Sequence, residues 1–136
     1  MPKFLVNITK KIEKYLYILL IILNLVLAIQ AISTAYSWKD KVFPGFLLYN
    51  PTVVSDIALS SFAQYNGFDI NTYDKIIKVN DIIITNAKEV YNIVSLSPPQ
   101  TIFNYTLLRN NQIIEVDIPS SIFATNDLLK IVGVEF

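Results

Sequence analysis

The sequence predicts an α+β protein in two parts: one N-terminal transmembrane helix, then a small domain of short strands carrying two helices. Three observations carry this reading. Tyr15 to Trp38 is a stretch of 24 consecutive residues without a formal charge. Beyond it, short β-branched and aromatic runs alternate with Asn, Pro and Gly, which is strand-and-turn chemistry. Two stretches in that region instead carry helix caps and helical spacing. With 53% hydrophobic and only 16% charged residues in 136, the chain is too apolar for disorder and oilier than an average soluble domain.

At about 1.5 Å per residue, the uncharged stretch is long enough to cross a hydrocarbon core of about 30 Å. A cleaved signal peptide usually has an apolar region of about 7–15 residues, so the length favours an uncleaved anchor over residues 15–38. Tyr15 and Tyr17 at one end, and Tyr36 and Trp38 at the other, fit the aromatic belts of the two headgroup levels. Lys3, Lys10, Lys11 and Lys14 precede the span and only Lys39 and Lys41 closely follow it. The positive-inside bias therefore makes residues 1–14 a cytoplasmic tail and sends the second half outward. Asn24, Ala28, Ala31 and Ala35 share one helical face of an otherwise bulky Leu/Ile span. That stripe suits docking on another transmembrane helix or self-association, and equally suits an ordinary lipid-facing span.

Zero net charge hides an asymmetry. Residues 1–41 carry six lysines against Glu13 and Asp40, whereas residues 42–136 carry four lysines and Arg109 against nine acids. An acidic outer half lacks the basic stripe that phosphate contacts need, so nucleic acid is not an expected partner. The chain has no Cys and no His, which removes thiolate and imidazole metal ligands, disulfides and the usual nucleophile–base pairs. Asp69 to Asp74 faintly suggests a calcium loop. An EF-hand needs Gly at its sixth position and Glu at its twelfth, where Asp74 and Asn80 stand, so this segment reads as a solvated turn. A non-enzymatic protein without metal or cofactor is expected.

In the outer half, Ser60 to Gly67 reads as a short Ser-capped helix ended by a left-handed Gly67. Asn86-Ala87-Lys88-Glu89 has the form of a capping box; Val90, Ile93, Val94 and Ser97 follow on one face until Pro98-Pro99. Thr101 to Ile118 reads as a hairpin turning at Asn110-Asn111, pairing Leu107 with Ile114, Tyr105 with Val116 and Phe103 with Ile118. Lys75 to Val79 and Ile82 to Ile84 form two strands around Asn80-Asp81. Phe46 to Tyr49 and Val53-Val54 supply two more.

Asp74-Lys75-Ile76-Ile77-Lys78-Val79-Asn80, a short strand, the helix around Glu89 to Val94 and the closing hairpin together resemble the core signature of a bacterial PDZ domain of the permuted type. Val54-Ser55-Asp56-Ile57, Ser61-Phe62-Ala63 and Asn66-Gly67-Phe68 are similar to the segment preceding that signature. The resemblance covers residues 43–120 and implies a small, partly open β-barrel with two helices. Residues 121–136 are left as a C-terminal extension. The family usually has Gly where Tyr73 and Asp81 stand.

The resemblance further implies that a peptide adds as a strand between a sheet edge and the long helix. The matching positions are Gly45, Phe46, Leu47 and Leu48 on the edge, and Val90, Ile93 and Val94 on the helix. Pro44 has no N–H, which removes a donor that a terminal carboxylate would use. Only four residues separate Trp38 from Phe43, a reach of at most about 14 Å. The expected ligand is therefore a membrane-proximal segment of a partner or of the same polypeptide. The whole also resembles the N-terminal sensory portion of bacterial membrane signalling proteins, placing the anchor in the inner membrane. A regulatory head of a phosphatase, cyclase or kinase, and a secretion-machinery scaffold, stand as alternatives to a free-standing interaction module.

Overall fold

The computed structural model describes residues 3–57, 59, 62–131 and 133. It is α+β and divides into an N-terminal helix and a compact unit that begins at Trp38. Helix α1 spans Lys3–Tyr36. With no Gly or Pro inside it, nothing interrupts its ladder, and its 34 residues measure about 50 Å. Between Lys10 and Tyr36 it is long and apolar enough to cross a membrane. The helix already covers most of the segment read as a tail.

The outer unit is built on antiparallel strands. Strands β1 (Val42–Phe43), β2 (Leu48–Tyr49) and β3 (Val53–Val54) come first, followed by a 3-10 helix at Ala63–Asn66. Then come β4 (Lys75–Val79), β5 (Ile82–Ile83), helix α2 (Ala87–Ser95), β6 (Ile102–Arg109) and β7 (Gln112–Pro119). A short β8 (Ser121–Ile122) and helix α3 (Thr125–Ile131) end the order. The main sheet runs β2-β3-β4-β6-β7, with β5 also on β4.

Both hairpin turns follow from their residues. Asn110 and Asn111 sit at φ 49° and 62°, and Asn80 and Asp81 at 46° and 67°, the left-handed pairs that two-residue turns require. The β6–β7 register is the expected one, with Leu107 opposite Ile114, Tyr105 opposite Val116 and Phe103 opposite Ile118. Phe103, Tyr105, Leu107 and Ile118 therefore reach the core, while Asn104 bonds Asp117 at 2.9 Å on the other face.

Several features differ from expectation. The sheet does not close into a barrel: Pro119 ends β7, and the Ser120 hydroxyl accepts the Thr101 N–H. The next two residues then pair with β1 in a separate ladder, Val42 opposite Ile122 and Phe43 opposite Ser121. Residues 121–131 of the segment set apart as an extension thus fold into the same unit. Phe123 is buried against Phe43, ring centroids 5.1 Å apart, and the buried Asp127 accepts the Ala124 N–H to start α3. Three α-helices lie among the described residues, and the expected short helix is a 3-10 turn stopped by Gly67 at φ 84°. Ser60 and Ser61, read as its cap, lie outside the described residues.

The 69–74 segment is a turn with Asp69 and Tyr73 exposed, but it is not solvated throughout. Asp74 is 2% exposed and takes two hydrogen bonds from the Arg109 guanidinium at 2.9 and 2.7 Å, plus the Asn71 N–H at 2.7 Å. A third Arg109 nitrogen reaches Asp69 at 2.8 Å. The loop before β4 is thereby pinned to the end of β6. A positive charge from a residue 35 positions away stands where local sequence suggests only water.

Candidate functional site

Helix α2 forms because Asn86 caps it. Its side chain accepts the Glu89 N–H at 3.2 Å, and the Glu89 carboxylate reaches back to the Thr85 N–H at 2.7 Å and hydroxyl at 2.9 Å. Those bonds, led by the Thr85 N–H, hold the Glu89 carboxyl below its usual pKa. Val90 and Val94 anchor the helix in the core, Ile93 is half-buried, and Tyr91 lies at the boundary of the apolar stripe.

Opposite stands the segment from β1 to β2. Phe43, Pro44, Gly45 and Phe46 are all buried, and Phe46 stacks edge-on against Tyr105 at 5.5 Å. Gly45 takes φ 87°, a conformation that favours glycine, and its carbonyl accepts the Ala63 N–H at 3.1 Å. Leu47 bonds inward, its carbonyl accepting the Ser55 N–H at 2.8 Å. Backbone groups of successive strand residues alternate in direction, so the Leu48 N–H points away from β3. Among the described residues no strand pairs with it there. It donates to the Tyr91 hydroxyl of α2 at 2.8 Å.

Tyr91 is braced from behind. The Trp38 ring meets it edge-on at 5.2 Å, and the Lys41 ammonium lies 5.6 Å from the Trp38 ring centre. Burial pushes the Tyr91 phenol pKa up, which keeps it neutral and hydrogen-bonding. Trp38, read from sequence as part of an aromatic belt, thus packs within the folded unit.

The seven edge and helix positions sort by depth. Gly45, Phe46, Val90 and Val94 are buried, while Leu47, Leu48 and Ile93 retain partial exposure. Sequence reasoning missed Tyr91, although a phenol flanking an apolar helical stripe, with one polar end to satisfy, is a recognisable signal. On α1, Asn24, Ala28 and Ala31 are exposed and Ala35 partly so. The Asn24 amide donates one hydrogen bond to the Leu20 carbonyl of its own helix at 2.7 Å.

Behind the β2–β3 hairpin, the Asp56 carboxylate accepts the Tyr49 hydroxyl at 2.5 Å and the Tyr73 hydroxyl at 3.3 Å. The Tyr49 bond leads in holding the Asp56 pKa down, and the Asp56 charge pushes the Tyr73 phenol up. Among the described residues, no three acidic side chains gather as metal ligands would. Compared with family models and with curated proteins, the chain gives no match.

Proposed function

We propose that this chain is a membrane-anchored, PDZ-like interaction module. It takes up an extended segment of another polypeptide by strand addition along the outward edge of β2, facing α2. The observation that carries the reading is the Leu48 N–H. It is a sheet-edge donor turned toward a helix, and a side-chain hydroxyl meets it where a strand would otherwise sit.

The ligand is an internal segment. The buried Phe43 to Phe46 loop, with no N–H at Pro44, offers poor ground for a free carboxylate. In this reading α1 crosses the inner membrane with its lysine-rich end in the cytoplasm, and the strand-rich unit lies outside. With no imidazole or thiol in the chain, the work done is recognition rather than catalysis. Such a module would serve within a signalling or a secretion assembly alike.

A photocrosslinking residue placed at Leu48 in intact membranes tests this, with Ile113 on the opposite sheet edge as control. A discrete protein adduct from Leu48 and none from Ile113 is expected. Adducts from Ile113 alone, or from Asn24 and Ala28 alone, would move the working surface to β7 or to the helix.

A further inference from the structure

We infer that the Tyr91 hydroxyl occupies the place of a bound segment's backbone carbonyl oxygen. Tyr91 is then both the stopper of the empty groove and the group a ligand displaces. This rests on the strand-addition reading above.

Geometry supplies the argument. A neighbouring strand would present a carbonyl oxygen about 2.9 Å from an edge N–H. The Tyr91 oxygen lies 2.8 Å from the Leu48 nitrogen, bridging 43 positions of sequence. Tyr91 reaches from α2 to the Leu48 N–H, so its ring occupies the gap between the helix and that edge. The ring leans on Trp38, which gives the phenol a fixed resting place, and no covalent or ionic tie holds it there.

Leu48 cannot leave its edge N–H unpaired in a partly buried site without loss, so some acceptor must be present in every state. An internal extended segment brings the same kind of acceptor on a backbone. Exchange of one for the other leaves the Leu48 N–H satisfied throughout, and costs the ligand only the bond that Tyr91 gives up. Tyr91 therefore sets the threshold affinity of the groove. It selects for segments whose carbonyl reaches Leu48 and whose facing side chain fits the space the ring vacates.

The full chain, isotope-labelled in detergent micelles, is titrated with an N-acetylated, C-amidated hexapeptide of alternating Thr and Val, a strand-forming probe without terminal charges. Tyr91→Phe keeps the ring on Trp38 and removes the competing oxygen. It should bind the probe about three- to tenfold more tightly than the parent, the range of one neutral hydrogen bond, with the Leu48 amide showing the largest shift. Tyr91→Ala, which also empties the gap, should bind at least as tightly as Tyr91→Phe. Equal affinity across all three proteins with the shift still centred on Leu48 overturns the stopper and leaves the groove standing. Shifts centred on Ile113 to Asp117, or no binding by any of the three, overturn both.

Discussion

The phenol of Tyr105 is fully buried beneath the sheet, and among the described residues its hydroxyl is the buried side-chain polar atom without a hydrogen-bond partner. Burial pushes its pKa far up, so it stays neutral, but a neutral orphan donor still costs about 1–3 kcal/mol. The ring earns its position by stacking on Phe46; the oxygen does not. Tyr105→Phe should raise the unfolding free energy by about 1–2 kcal/mol, read from urea denaturation followed by the fluorescence of Trp38, the sole tryptophan. A loss of stability instead would mean the hydroxyl has an acceptor. Tyr73 presents the opposite case, a bulky residue held at φ 71° where the resembled family has Gly. Its phenol bond to Asp56 is on the surface and offsets little of the left-handed strain. Tyr73→Gly should stabilise by about 0.5–1 kcal/mol after the entropy of the new glycine is subtracted. The sequence marked Tyr73 and Asp81 as departures from glycine, and both adopt the positive φ that favours glycine, at 71° and 67°.

Among the elements, α2 matters most, because it carries Tyr91 to the β2 edge. Its start depends on the Asn86–Glu89 cap. Glu89 has a folded pKa below its ordinary 4.5, so its contribution is fully present above that value and is lost as the pH falls through the lower, folded pKa. Lower protection of the Thr85 and Glu89 amides, relative to their intrinsic exchange rates at each pH, is therefore expected on acidification below about pH 4.5, and Glu89→Gln should weaken that pH dependence in hydrogen-exchange measurements. Asn86→Ala should cost about 1 kcal/mol, the usual worth of such a cap. This cap, the Asn110-Asn111 turn and the β6–β7 register were all legible in sequence, since each is decided within a few residues by side-chain hydrogen bonding or by tolerance of positive φ. The 3-10 turn at Ala63–Asn66 was legible only as a short helix ending at Gly67. Its tighter winding is not written in residue types.

At the scale of the molecule, two long-range contacts hold the outer unit together. Arg109 closes the Asp69–Asp74 loop onto β6, and Phe123 with β8 ties the end of the unit to its start at Phe43. Arg109→Ala leaves the Asp74 carboxylate buried without its counter-charge and should cost about 3–5 kcal/mol, enough to unfold a marginal domain. Asp69→Asn, removing the exposed half of the same cluster, should change stability by about 0.5 kcal/mol or less. Comparable losses for both would show that Asp69 carries the pin. Phe123→Ala should cost about 3–5 kcal/mol by opening a cavity beside Phe43, which thermal unfolding would register.

By itself the sequence determined the uncharged helical span, the order of the elements from β2 to β7, the Asn86 cap and the β6–β7 register. Each follows from side-chain period, charge spacing or turn chemistry within a short window. Only the tertiary structure decided that the sheet stays open, that residues 121–131 join the same folded unit, that Asp74 is buried under Arg109, and that the Tyr91 hydroxyl meets the Leu48 N–H. Those outcomes depend on which distant backbone groups and charges meet. A residue's type limits its possible partners but cannot say which of them the folded chain brings within hydrogen-bonding distance.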